Sequence, residues 1–290
     1  MKKKIYNLIS FLILFSIFSY SLQVCEAMEI VGHRGASADA PENTLESMQL
    51  AWQQGAIAAE CDVMLTQDSE IILMHDDSTK RTTGGKTDLL VSKTNWQELA
   101  DLDVGSWKGA EWKGVKIPLL RTVVNAIPEQ KKLFIEIKSG DRNEGADPNI
   151  IAPLLTLLDQ EKVNPLKIIF ISFDHAILKQ LKKLAPQYES YFITTFQLYP
   201  GPWIYIRSEQ ELNAVIKSAK DSQINGIDLE YTSAITKEWI LKIKNAGLKV
   251  SIWSYANDDT LANAQKMKTL GVDYYTTNYP GKFKNLLVAF

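Results

Sequence analysis

The sequence is poor in several things. Its 290 residues hold two cysteines, Cys25 and Cys61, too few for a disulfide scaffold. Neither sign of charge dominates: 32 lysines and arginines stand against 34 aspartates and glutamates, a net charge of −2. With a pI of about 6.0 there is no overall basic field to hold nucleic acid. There is no P-loop and no His-Glu-x-x-His helix, so a nucleotide-driven or zincin mechanism has no support. No internal repeat or low-complexity tract is found. Hydrophobic residues at 46% and charged residues at 23% describe an ordinary globular protein and exclude disorder, collagen and a coiled coil as the main character.

The one long apolar run lies at the start. Lys2, Lys3 and Lys4 precede an almost unbroken apolar stretch from Leu8 to Phe18, and the small residue Ala27 follows. This is the pattern of a secretory signal peptide over residues 1–27. The apolar stretch is short for the ~30 Å hydrocarbon core of a bilayer. No stable membrane span is therefore expected after cleavage, and the mature chain is expected in a periplasm or secreted. A retained anchor, or a lipoprotein acylated at Cys25, stays open; Val24 is a poor residue before a lipidated cysteine. Cleavage leaves Cys61 as the remaining cysteine.

Residues 28–290 then read as one domain. Strand patterns fall near Glu29–Gly32, Ala58–Leu65, Lys132–Ile137, Lys167–Ser172, Ser190–Thr195, Asn225–Leu229, Leu248–Trp253 and Val272–Thr276. Helical patterns lie near Thr44–Gln54, Ile150–Gln160, Ala176–Leu184, Glu209–Lys220, Lys237–Asn245, Asp259–Leu270 and Gly281–Val288. Strands alternating with helices over this length predict a (β/α)8 TIM barrel. The rival is a doubly wound open sheet, but the first strand ends in Gly32-His33-Arg34-Gly35, not in Gly-x-Gly-x-x-Gly. Asp76 to Pro118, with Trp96, Trp107 and Trp112, breaks the rhythm and reads as a small insertion after the second strand, over the barrel mouth. Gly140 to Pro148 reads as a flexible loop.

Chemistry-bearing residues gather at strand ends, where a barrel presents its functional groups. His33 follows the first strand and His75 the second strand pair. His175, next to a helix-capping Asp174, reads as structural. Alternation along a strand turns Glu60 and Asp62 to one face and Cys61 to the other, so Cys61 is expected buried against the helices. The same alternation turns Glu136 and Lys138 inward. Three inward carboxylates, Glu60, Asp62 and Glu136, form an all-oxygen site for one divalent cation, Ca2+ or Mg2+; the alternative is a carboxylate–lysine ion-pair network. With Arg34 and Lys138 beside it, such a site suits an anionic phosphate. One histidine would deprotonate the nucleophile and the other protonate the leaving alcohol.

The ordered segments Gly32-His33-Arg34-Gly35, Pro41-Glu42-Asn43-Thr44, Glu60-x-Asp62, Thr66-x-Asp68, His75-Asp76, Arg81-Thr82-Thr83 and Phe134-Ile135-Glu136-Ile137-Lys138 resemble the glycerophosphodiester phosphodiesterase family. The resemblance runs from Glu29 to about Pro280. It implies a TIM barrel with an insertion after the second strand, and divalent-metal-dependent hydrolysis of glycerophosphodiesters to sn-glycerol 3-phosphate and an alcohol. It also implies roles: His33 and His75 as the acid/base pair, and Glu60, Asp62 and Glu136 as metal ligands. Arg34 and Lys138 become phosphate contacts, Glu42 a carboxylate beside the metal site, and Trp253 an aromatic packed on the glycerol moiety. Tyr274, Asn278 and Arg121 depart from the family pattern, where glycine, aspartate and an acidic residue are common; the departures are expected to touch local packing only. The loop from Phe196 to Arg207, with Tyr199, Trp203 and Tyr205, is expected to shape the pocket for the leaving alcohol or to cover the barrel.

Two other functions fit parts of the pattern: a lysophospholipase D or sphingomyelinase-D-like enzyme on a lipid substrate, and a non-catalytic binding protein on the same barrel. Intact-mass analysis of the exported protein is expected to show a chain beginning at Met28; a full-length mass would contradict the cleavage reading.

Overall fold

The computed structural model describes residues 28–138, 147–197 and 204–284. The expected signal peptide over residues 1–27 with Cys25, the residues Tyr199 and Trp203, most of the expected Gly140–Pro148 loop and the end of the expected Gly281–Val288 helix lie outside the described residues.

Eight parallel strands close a barrel: β1 (Glu29–Gly32), β2 (Ala58–Leu65), β4 (Lys132–Ile137), β5 (Ile168–Ser172), β6 (Glu189–Thr194), β7 (Gly226–Glu230), β8 (Lys249–Trp253) and β9 (Tyr274–Thr277). The pairing of β1 with both β2 and β9 closes the ring and excludes the open-sheet alternative. A short β3 (Ile71–Leu73) folds back antiparallel on β2. Both faces of the strands are buried, so they read as near-continuous apolar runs such as Ile-Ile-Phe-Ile-Ser in β5. Cys61, Val63, Ile135, Ile137, Phe170 and Val250 pack outward against the helices. Val31, Ala58, Phe134, Ile169, Tyr191 and Tyr274 point inward and fill the barrel floor. There Phe134 meets Tyr191 and Tyr274 edge-on, with ring centres 5.9 Å and 5.2 Å apart. Tyr274, one of the family departures, is thus a plug in the floor.

The long helices surround the barrel: α1 (Leu45–Gln53), α4 (Ile151–Gln160), α5 (His175–Leu184), α6 (Glu209–Asp221), α7 (Lys237–Asn245) and α8 (Leu261–Leu270). Side-chain caps fix most starts; Thr44, Asp174, Ser208, Thr236 and Thr260 each accept a backbone N–H of the first turn. α8 begins two residues later than the sequence predicts, because Asp259 turns its carboxylate to Thr277 and Asn278 instead. Short α2 (Trp96–Leu99) and α3 (Leu120–Asn125) span too few residues to show a helical period, whereas α9 (Pro280–Phe283) falls at the start of the expected Gly281–Val288 helix.

The insertion has a small core of its own, in which Val91, Leu99, Val104 and Ile117 pack on Met64, Ile72 and Met74. It is thereby anchored to β3 and the end of β2. Among the described residues, no helix is long and apolar enough to cross a membrane. Truncating the floor with Phe134→Ala is expected to cost about 3–5 kcal/mol in urea unfolding; a loss below about 1 kcal/mol would mean that the floor collapses around the smaller residue.

Candidate active site

The site is built where strands end. β1 runs into a tight turn in which Arg34 and Gly35 both take left-handed backbone, φ 51° and 82°. A Cβ on Gly35 would lie 2.4 Å from the backbone of Ser47, so glycine is required there. The turn places the Arg34 amide 2.8 Å from Glu60 Oε2, to which it donates, and brings the His33 and Arg34 side chains to the cavity.

Glu60 and Asp62 on β2 and Glu136 on β4 point inward, with Asp62 and Glu136 in register. One oxygen from each lies within 4.8 Å of the others, and all three residues are buried. Asn43, itself left-handed at φ 56°, fixes Asp62 by donating from Nδ2 to Oδ2 (2.7 Å) and accepting the Asp62 amide (3.0 Å). Contacts of the alternative carboxylate–lysine network are also present: Lys138 Nζ lies 2.9 Å from Glu136 and 3.5 Å from Asp62. It is incomplete, since Oε1 of Glu60 is buried with no hydrogen-bond partner.

Charge follows from this crowding. Burial, then the negative charges of Asp62 and Glu136, pushes the Glu60 carboxyl well above the usual range. Burial also raises Glu136, with Lys138 opposing and Asp62 adding. Against burial, Lys138, His75 and Arg34 hold Asp62 well below the usual range. An orphaned oxygen, three crowded carboxylates and an oxygen-only donor set fit a hard divalent cation.

A second network ties the insertion to the β1 turn. His75 Nδ1 lies 2.8 Å from Asp76, and Arg81 bonds both Asp76 (2.7 Å) and Glu42 (2.7 Å). Glu42 in turn accepts from Arg34 at 2.8 Å. Against burial, the Arg81 and Arg34 guanidinium groups hold the Glu42 carboxyl down at about 2. Glu42 therefore orients two arginines beside the carboxylate cluster.

Asn278 corrects an expectation. Its Oδ1 lies 2.7 Å from His33 Nδ1 and also accepts from Ser37 Oγ (2.8 Å), while its backbone N–H donates to Asp259. This departure does not merely affect packing; it fixes the tautomer of His33 and leaves Nε2 for the cavity. Burial, then the Arg34 charge, lowers His33 to about 4, so the ring is neutral at neutral pH.

His33, Arg34, Glu42, Glu60, His75, Glu136, Lys138 and Trp253 line one cavity of about 1000 Å3, and Asp62 lies buried behind them. Trp253 donates from Nε1 to the Thr194 carbonyl and stands edge-on to Phe173 and Tyr255, 5.5 Å and 5.3 Å away. Trp107 and Lys108 of the insertion form part of the mouth. Phe196 stacks on Trp239, and neither it nor Tyr205 lines the cavity. The described part of that loop therefore covers the barrel rather than shaping the pocket. Arg121 pairs at 3.8 Å with Glu70, away from the cavity. His175 is structural, stacked on Phe192 and bonded to the Ile193 carbonyl. Cys61 is buried against the helices.

Asn43, Asp76, Arg81, Asn278 and Asp228 take roles in the site that no local pattern in the sequence assigns to them, Asp228 excepted. Asp228 lines the cavity, and burial, then the charge of Glu136, pushes its carboxyl up to about 7. Its signal was readable: Gly-Ile-Asp-Leu-Glu in β7 alternates as Glu-Cys-Asp does in β2.

Paired histidines, crowded carboxylates and two cations at the C-terminal end of a TIM barrel define a phosphoryl-transfer or phosphodiester-hydrolysing class. The chain matches the Glycerophosphoryl diester phosphodiesterase family over residues 33–282, belongs to that family, and is an enzyme of its kind. YhdW of Bacillus subtilis strain 168 is 31% identical over 89% of this chain and 100% of its own length. A glycerophosphodiester phosphodiesterase of Caldanaerobacter subterraneus subsp. tengcongensis is 29% identical, over 89% of this chain and 97% of that protein. An Oleispira antarctica phosphodiesterase, solved in complex with the product sn-glycerol-3-phosphate, superposes with a TM-score of 0.75 at 30% identity, covering 90% of this chain and 97% of that one.

Replacing the neutral partner of His33 by a charged one, Asn278→Asp, is expected to raise the His33 pKa from about 4 by about 1–3 pH units. NMR titration of the ring measures this; an unmoved value would mean that the two side chains do not touch in solution.

Proposed function

We propose that this enzyme hydrolyses soluble glycerophosphodiesters to sn-glycerol 3-phosphate and an alcohol. One observation carries the reading: two histidines, each with Nδ1 engaged by a neighbouring side chain, share a cavity with Arg34, Lys138, Glu60 and Glu136, and Asp62 completes the carboxylate cluster just behind its wall. Glu60, Asp62 and Glu136 would hold Ca2+ or Mg2+, which when bound neutralises charge on a phosphoryl oxygen. Free Ca2+ is more abundant outside cells, so the proposed export of the chain favours that ion.

The residues divide the work. Arg34 and Lys138 bind the phosphate oxygens and orient the diester. His33, neutral and fixed by Asn278, accepts at Nε2 a proton of the attacking water as the water oxygen bonds to phosphorus. His75 donates a proton to the leaving oxygen as the bond from phosphorus to the alcohol breaks, and the Asp76 carboxylate compensates its positive form. Glu42 and Arg81 keep Arg34 and Asp76 in place. The aromatic rings of Trp253 and Phe173, set edge to face, offer an apolar wall to the carbon skeleton of the glycerol.

The test is release of glycerol 3-phosphate from glycerophosphocholine by the chain from Met28 onward. EDTA is expected to abolish release, and added Ca2+ or Mg2+ to restore it. His33→Ala and His75→Ala are each expected to lower kcat about 10²–10⁴-fold. Cleavage of a lysolipid but not of the soluble diester would replace this reading by the lysophospholipase D one; no turnover of either would favour a binding protein.

A further inference from the structure

Across the barrel from β2, the wall formed by β5 to β8 has a different character. Ile171, Phe173, Ile193 and Trp253 line the cavity there, and among the described residues no lysine or arginine does so from these strands. One charged side chain interrupts this wall. On β7, Ile227 and Leu229 pack outward, and Asp228 points inward. The next inward residue, Glu230, is occupied by the loop after β6, accepting from Thr195 Oγ1, the Phe196 amide and Gln197 Nε2. Asp228 has no such task. Ser251, its register partner on β8, favours the ionised carboxylate from one side. Yet Asp228 is 2% exposed, and its Oδ1 has no hydrogen-bond partner.

A buried carboxylate oxygen without a donor costs stability, so a ligand that brings the donor gains a strong contact. A phosphate is the wrong ligand for this wall, because no lysine or arginine lines it to balance the charge. An apolar surface with one acceptor suits carbon bearing a hydroxyl. Depth distinguishes the two arms of a diester. Asp228 sits in the buried interior, whereas the mouth beneath the insertion suits the alcohol that leaves.

Resting on the proposed diesterase reading, we infer that Asp228 is a specificity residue: it accepts a hydrogen bond from a hydroxyl of the glycerol arm while the carbon skeleton lies on Trp253 and Phe173. The enzyme would thereby select a phosphodiester whose retained arm carries a hydroxyl over one whose arm is a plain alkyl chain.

Glycerophosphocholine and propylphosphocholine, which lacks both glycerol hydroxyls, separate this role from others. The wild-type enzyme is expected to favour the first by at least about tenfold in kcat/KM, because a site built to bind a hydroxyl rejects an analogue without it. In Asp228→Ala that ratio is expected to fall to within about threefold of unity, and in Asp228→Asn, whose amide still accepts, to an intermediate value. Asp228→Asn preserves shape and gives the answer if the alanine variant does not fold, as judged by circular dichroism. If folded variants lose activity on both diesters equally, Asp228 acts on the cation site or the chemistry and the inference is overturned. A wild-type enzyme with no preference overturns it too. A wild-type enzyme that cleaves neither diester overturns the functional reading itself, and this inference with it.

Discussion

Like charge forced together inside the barrel governs this protein. Glu60, Asp62 and Glu136 are brought within 4.8 Å by the parallel register of β2 and β4, in a setting where carboxylates resist ionisation. Everything around them answers that repulsion. Lys138 leans in from the end of β4, Arg34 from the β1 turn, and Asn43 clamps Asp62 from the loop before α1. These groups leave the cluster short of positive charge and one oxygen of Glu60 unpartnered. The same arrangement that taxes folding creates a place for a divalent cation and, beside it, for a phosphate.

The barrel gives this cluster its rigidity. The floor of Phe134, Tyr191 and Tyr274 lies directly beneath it, so the carboxylates stand on packed rings rather than on mobile loops. The rim is less uniform. Arg81 of the insertion reaches back to Glu42 and Asp76, which links the position of His75 to that of Arg34. His33 is held differently, by a neutral amide instead of a carboxylate. The two histidines therefore sit in unlike electrostatic settings, as expected of a pair in which one takes a proton and the other gives one.

Much of this was legible in the amino-acid order. Alternation in Glu-Cys-Asp and Phe-Ile-Glu-Ile-Lys told which side chains face inward, because both strands are long and both faces are buried. The eight barrel strands were placed within about two residues for the same reason. The three-residue β3 and the short α2 and α3 gave no period to detect. The partnership of His33 with Asn278 joins the first strand to the last, 245 positions apart, and no local pattern announces it. Asn278 looked like a packing change because sequence shows which residue differs, not which residue it touches. Asp228 shares the alternation of Glu60, but the segments that carry the family resemblance all lie before β5 and none of them includes β7.

The most direct measurement is a crystal structure grown with Ca2+ and glycerol 3-phosphate. The ion is expected at about 2.3–2.6 Å from oxygens of Glu60, Asp62 and Glu136, with phosphate oxygens meeting Arg34 and Lys138 and His33 still bonded to Asn278. An ion bound elsewhere, with Lys138 still paired to Glu136 and Asp62 and the phosphate away from both histidines, would contradict the placement of the chemistry at this cluster.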